Sequence, residues 1–143
     1  MKNPFEITGL DHVVLRVKDL GAALHFYRDA LGLTIERELD IGLVQLRAGA
    51  SLIDLVPVTS PLGRAGGPAP GGGGFNMDHF ALELAHFDAA AIGAHLKAHG
   101  IEHGEPAQRY GARGTGPSLY VTDPDGNTVE LKGPPTDSRQ PPV

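Results

Sequence analysis

Cysteine and tryptophan are both missing from these 143 residues, and aromatic residues supply only 6% of them. Without cysteine the chain can form no disulfide and offer no thiolate to a metal, so imidazole and carboxylate are its available metal ligands, and a reducing compartment suits it. The scarcity of aromatics argues against a broad stacking groove that merely sequesters a ligand. Basic residues are also in the minority: 12 Lys and Arg stand against 17 Asp and Glu, the net charge is −5, and no basic stripe exists, which removes nucleic acid as a partner. No apolar run approaches the roughly 18 residues that span a bilayer. Met1 to His12 has no apolar export core. A soluble, cytoplasmic protein with no membrane partner is expected.

What the chain does have is an internal repeat. Leu10 to Val17 (LDHVVLRV) and Asn76 to Leu84 (NMDHFALEL) are short apolar runs opened by Asp-His, and each leads into a helix-like segment closed by glycine. His12 and His79 lie 67 positions apart, and Gly32 and Gly100 lie 68 apart. After each copy comes β-prone sequence with one acid inside an apolar run: Asp54 in SLIDLVPV and Glu130 in NTVELK. An acid in such a strand is costly to bury unless it is hydrogen-bonded, ion-paired or metal-bound. Two imidazoles and two carboxylates repeated in register predict one shared divalent metal site with His12, Asp54, His79 and Glu130 as its ligands.

The pattern predicts an α+β fold of two tandem βαβββ modules, residues 9–58 and 76–133, whose mixed sheets curl into a cleft. All of 1–143 is one domain, long enough to bury roughly 70% of its unfolded surface. In the first module, strict alternation sets His12, Val14 and Arg16 on one strand face. Asp19 caps a helix that runs through Leu20, Leu24, Tyr27 and Leu31 to Gly32, and strands follow at 34–38, 41–47 and 51–57. The second module places a strand at Met77 to Leu84, a helix from Asp88 to His99 with Ile92 and Leu96 inward, and a short strand holding Gln108 and Tyr110. Ser118 to Asp123 is then a strand, and Asp123-Pro-Asp-Gly-Asn127 turns into a last strand, Thr128 to Lys132. Glycine and proline gather at 61–74 and in the tail 134–143, both expected to be mobile, the first beside the pocket. Asp11 and Asp78 point away from the histidines and make strand-opening hydrogen bonds. Candidate pocket residues are Arg16, Gln45, Arg113, Ser118 and Tyr120, the arginines for an anionic group and the others for orientation. His25, His86, His95, His99 and His103 have no such partners in the pattern and receive no role.

HVVLRVKDLGAALHFYRDALGL, the second Asp-His strand and SLYVTDPDGNTVEL together resemble the vicinal oxygen chelate superfamily, from about Gly9 to Gly133. That superfamily holds glyoxalase I, extradiol dioxygenases, methylmalonyl-CoA epimerase and the fosfomycin- and bleomycin-resistance proteins. The resemblance implies paired βαβββ modules, frequent homodimers and a divalent metal held at His12, Asp54, His79 and Glu130. Asp54 is one carbon shorter than the glutamate usual at that position in glyoxalase I. Arg16 matches a glutathione-contacting arginine of that enzyme, whereas Val58 stands where an asparagine is expected. Ser118 and Tyr120 match the fosfomycin thiol transferase pocket, but Val14 replaces its threonine.

The function expected is that of a metal-dependent isomerase or lyase acting on a small substrate chelated through adjacent oxygens, by way of a metal-stabilised enolate. Nickel, zinc, cobalt, manganese or iron is the cofactor, and Asp54 and Glu130 are the catalytic carboxylates, with Asp54 as base. One alternative is Fe(II) extradiol-type dioxygenation at a His12, His79 and Glu130 triad. Another is a non-catalytic dimeric resistance protein that sequesters its ligand.

Overall fold

The computed structural model describes residues 10–71 and 77–136, and the chain divides into two compact units, Met1–Ala69 and Pro70–Val143. Each unit is a four-stranded mixed sheet with a helix after its first strand. In the first unit β1 (His12–Val17), α1 (Leu20–Leu24), β2 (Thr34–Leu39), β3 (Leu43–Ala48) and β4 (Ser51–Pro57) give the sheet order β1-β4-β3-β2. In the second, β5 (Phe80–Glu83), α3 (Ala89–Ala98), β6 (Ala107–Gly111), β7 (Gly114–Thr122) and β8 (Thr128–Lys132) give β5-β8-β7-β6, the same topology repeated. First and last strands run parallel and the others antiparallel. The tandem βαβββ plan is therefore the fold. No helix among the described residues is long and apolar enough to cross a membrane.

The sequence explains which sheet face each helix covers. Alternation along β1, β3 and β4 turns Leu15, Val17, Val44, Leu46, Ile53 and Leu55 to one side, where they are buried. Asp19 accepts from the Ala22 amide at 3.0 Å and opens α1. The uniform α-helix expected as far as Leu31 is not what forms, because His25–Ala30 continues α1 as a π-helix. Its wider winding, with the Leu31 amide donating to the Phe26 carbonyl at 2.9 Å, turns Ala23, Phe26, Tyr27 and Ala30 into the core. Phe26 and Tyr27 meet edge to face at 4.8 Å, and Leu20, Leu24 and Leu31 are left half-buried. In the second unit Leu119, Val121, Val129, Leu131 and Leu96 are buried, and Asp88 caps α3 by accepting from the Ala91 amide at 3.1 Å. Both helices end on a left-handed glycine, Gly32 at φ 79° and Gly100 at φ 73°.

Other boundaries shift for local reasons. β3 begins at Leu43 instead of Ile41 because the preceding turn carries Gly42 at φ 87° against Ser60. β5 is shorter than Met77 to Leu84, with only Phe80–Glu83 paired to β8; Asn76 lies outside the described residues. β7 starts four residues before Ser118, since the Gly-Thr-Gly-Pro run that reads as a loop pairs with β6 across a two-residue turn at Ala112 and Arg113. The connecting segment 61–74 is not loop throughout. Pro61–Arg64 forms one helical turn, α2, capped by Ser60, whose hydroxyl accepts from the Gly63 amide at 3.0 Å. Gly72 to Gly74 lie outside the described residues, as does the tail beyond Thr136, whose own amide is tied to the Thr115 carbonyl at 2.9 Å.

Candidate functional site

The sheet face away from α1 carries the first set of polar groups. Register pairs Val14 with Asp54 and Gln45 with Asp54, so β1, β4 and β3 bring His12, Asp54 and Gln45 to one surface. Asp54 is 2% exposed, and its Oδ2 accepts from Gln45 Nε2 at 2.9 Å. Arg37 on β2 donates through Nε to Gln45 Oε1. A guanidinium can only donate, so it fixes the amide with its oxygen outward and its NH2 toward the carboxylate. Gln45 and Arg37 thus orient Asp54. Sequence reasoning gave Gln45 a substrate role and did not find Arg37. Gln45→Leu is expected to strand the buried Oδ2 and destabilise the protein by about 1–3 kcal/mol, to be read from the urea unfolding midpoint at unchanged slope.

Arg16, on the same face of β1, is committed to its own unit. Its guanidinium donates to the carbonyls of Gly63 at 2.9 Å, Gly67 at 2.6 Å and Pro68 at 2.9 Å. Gly66 lies flat against it, where a Cβ would come within 2.3 Å of Nε. Arg16 therefore pins the segment after α2 to β1.

The second unit presents the matching face. His79, immediately before β5, shares its side with Ala81, which pairs with Glu130, and Tyr120 pairs with Glu130 from β7. His79 Nε2 lies 3.2 Å from Glu130 Oε1, and Glu130 is 5% exposed. Tyr120 packs edge to face on His79 at 5.4 Å, and Arg109 sits over the Tyr120 ring at 4.3 Å. Arg109 in turn donates to the Ser118 hydroxyl and carbonyl, both at 2.9 Å, so the fully buried Ser118 braces the arginine. Arg113 pairs with Glu83 at 3.1 Å. A cavity of about 300 Å³ opens on this face, lined by His79, Glu83, Arg113, Glu130 and Lys132 among others.

Asp11 and Asp78 do not turn away from the histidines, as alternation alone led us to expect. Asp11 Oδ1 lies 2.6 Å from His12 Nδ1, and Asp78 Oδ2 lies 2.7 Å from His79 Nδ1. Each of these residues precedes its strand's pairing and is exposed, so its side chain is free to fold back on the ring. The consequence is chemical. A carboxylate on Nδ1 fixes the tautomer with its proton there, turns the Nε2 lone pair outward and makes the ring a stronger ligand. The pKa of His12 is raised, chiefly by the hydrogen bond to Asp11; desolvation opposes this, and the charges of Asp54 and Asp11 add to the rise. The repeated Asp-His pair itself was the signal that could have revealed this arrangement.

Each acid keeps one oxygen without a partner. Asp54 Oδ1 and Glu130 Oε2 are buried and accept no hydrogen bond. A buried carboxylate oxygen left bare costs free energy unless a cation or donor reaches it. In both units, then, a bare carboxylate oxygen accompanies an imidazole whose other nitrogen is already held by an aspartate. This donor set of nitrogen and hard oxygen fits a first-row divalent cation. Among the described residues no group of three or more such side chains clusters together.

A repeated four-stranded βαβββ sheet bearing an imidazole and a buried acid defines a class of α+β protein, and comparison with known families gives that class a name. Residues 9–131 match the Glyoxalase/Bleomycin resistance protein/Dioxygenase superfamily, and the chain belongs to it. A virulence protein of Salmonella typhimurium is 27% identical over 135 residues, covering 87% of this chain and 83% of that one. The crystal structure of that protein superposes with a TM-score of 0.69 at 25% identity, over 91% of this chain and 99% of the other. A glyoxalase domain-containing protein of Mycosarcoma maydis is 32% identical over 87% of this chain and 68% of its own length. The structure of a lactoylglutathione lyase from Agrobacterium tumefaciens has a TM-score of 0.61 and 26% identity, with 92% and 96% of the two chains covered.

Proposed function

We propose that the protein is a metal-dependent isomerase or lyase of the glyoxalase type, acting on a small substrate that offers two adjacent oxygens. The observation that carries this reading is the pair of buried acids, Asp54 and Glu130, each with one bare oxygen. The ligands we assign are His12, Asp54, His79 and Glu130. A divalent cation, when bound, supplies Lewis-acid polarisation of the substrate oxygens.

The remaining work falls to side chains of this chain. Asp54 is held at Oδ2 by Gln45, which leaves Oδ1 as the atom that takes a proton from the carbon beside a polarised oxygen and returns it. Arg37 keeps Gln45 from flipping, so the base stays aimed. Glu130 and Tyr120 fix the ring of His79 from two sides. Likeness to a lactoylglutathione lyase supports lyase or isomerase chemistry over ring cleavage. Arg16, with three backbone acceptors already, favours a substrate that does not rely on it for a glutathione carboxylate.

Elemental analysis of protein purified without added metal tests this reading: nickel, zinc, cobalt or manganese accords with it, whereas iron together with oxygen uptake moves the assignment to the dioxygenase class. We also propose that the protein acts in the cytoplasm as a homodimer, for which light scattering is expected to give twice the 15.0 kDa chain mass. A monomer at micromolar concentration would remove the dimer.

A further inference from the structure

Lys132 is the one strongly buried cation among the described residues, being 8% exposed on β8, two residues beyond Glu130 and on the same sheet face. Strand alternation places it there, and a glycine makes room for it: a Cβ on Gly111 would come within 2.4 Å of Lys132 Cε. Its ammonium donates to the Arg109 carbonyl at 2.6 Å, its single acceptor among the described residues. An ammonium has three N–H donors, and burying it without a counter-charge is costly. Arg113 is engaged with Glu83 at 3.1 Å, and Glu130 Oε1 lies 3.2 Å from the Nε2 of His79. Lys132 therefore lines the roughly 300 Å³ cavity as a cation with donors to offer, next to the carboxylate assigned to the metal. That volume is at the small end of ligand pockets.

We propose that Lys132 binds the carboxylate of the substrate, and that the substrate class is small 2-oxo or 2-hydroxy monocarboxylic acids. Such an acid offers an anionic oxygen to Lys132 together with the adjacent oxygens that the proposed function requires, and this deepening rests on that reading. The balance of charge in the cavity weighs against a dianion. The cavity lining holds two cations, Lys132 and Arg113, and two acids, Glu83 and Glu130, so a dianionic phosphate would meet no excess positive charge from the protein. A single ammonium is a point charge suited to one carboxylate oxygen, without the two-pronged geometry of a guanidinium.

The probe is pyruvate, with pyruvamide as its neutral isostere, titrated into chelator-stripped protein and followed by the amide resonances of Gly111, Gly114 and Gly133. Wild-type protein is expected to bind pyruvate more tightly than pyruvamide. Lys132→Met is expected to weaken pyruvate on the order of 10- to 100-fold, the worth of a charged hydrogen bond, and to leave pyruvamide unchanged. Should Lys132→Met not fold, Lys132→Gln takes its place, and the wild-type comparison needs no variant. Equal binding of pyruvate and pyruvamide by wild type, or pyruvate binding within twofold of wild type in a folded Lys132 variant, overturns the proposal. Metal content separates this result from the metal assignment. Loss of anion binding in Lys132→Met with metal content unaffected by His79→Ala would leave Lys132 standing and remove the metal, and the converse would do the opposite.

Discussion

His79→Ala is expected to lose its divalent metal under dialysis conditions in which wild-type protein keeps it, with affinity lowered by more than the 10- to 100-fold typical of a change behind a ligand. The imidazole is already prepared to bind: Asp78 holds Nδ1, and Nε2 is directed at the side where Glu130 lies 3.2 Å away. Removing Asp78 by Asp78→Asn leaves the ligand and loosens its support, so that variant is expected to fall within the 10- to 100-fold range. Stability gives an independent readout. At metal concentrations 100 times the dissociation constant, wild-type protein gains about 2.7 kcal/mol, and His79→Ala gains nothing. Glu130→Gln should move the two measurements in opposite directions. It neutralises a buried carboxylate whose Oε2 has no partner, so the metal-free protein is expected to become more stable while metal retention is lost. Wild-type metal content in folded His79→Ala would show that the ligand set is wrong. A Glu130→Gln variant less stable than wild type without metal would show that Oε2 is not the costly group inferred here.

Much of this architecture could be read from the sequence because the sequence repeats itself. Alternation in LDHVVLRV set His12 with Val14 and Arg16, and the parallel register of β1 with β4, which pairs Val14 with Asp54, brings Asp54 to that face. Capping by Asp19 and the stops at Gly32 and Gly100 were legible because each rests on one residue's local chemistry. What could not be read rests on partners distant in sequence or on departures from regular geometry. The π-helical winding of His25–Ala30 follows from two adjacent aromatics seeking the same core, which a fixed helical period cannot express. Arg37 could not be linked to Gln45 and Asp54 without knowing how β2 pairs with β3, a pairing that contains a shift between Ile35 and Arg37. Arg16 was legible as an inward arginine on β1, yet its acceptors are backbone carbonyls of a Gly/Pro segment that composition marks only as loop. Lys132 looked like the last residue of a strand. Its importance comes from the space left by Gly111 and from burial beside Glu130.

Asp54→Asn is expected to keep the fold and most of the metal, and to lower the rate of proton transfer by on the order of 10² to 10⁴. The fold should survive because an asparagine can set its carbonyl oxygen toward Gln45 Nε2, preserving the hydrogen bond that Asp54 Oδ2 now accepts at 2.9 Å. Metal should be retained in large part because His12, His79 and Glu130 remain as assigned ligands. The basic oxygen is what disappears. Oδ1, buried and bare in wild type, becomes an amide nitrogen that cannot accept a proton. Exchange of the methyl protons of pyruvate in deuterium oxide, followed by proton NMR on metal-loaded protein, measures that step without requiring knowledge of the full reaction. Wild-type protein is expected to speed the exchange, and Asp54→Asn to remove the acceleration at equal metal content. Gln45→Leu provides the intermediate case, since it keeps the carboxylate and removes its anchor, so a smaller loss of rate is expected with Oδ1 still present. Exchange by Asp54→Asn at the wild-type rate would take the base role from Asp54. The His12, His79 and Glu130 triad would then become the better account of the site, with oxygen uptake in iron-loaded protein as the next measurement.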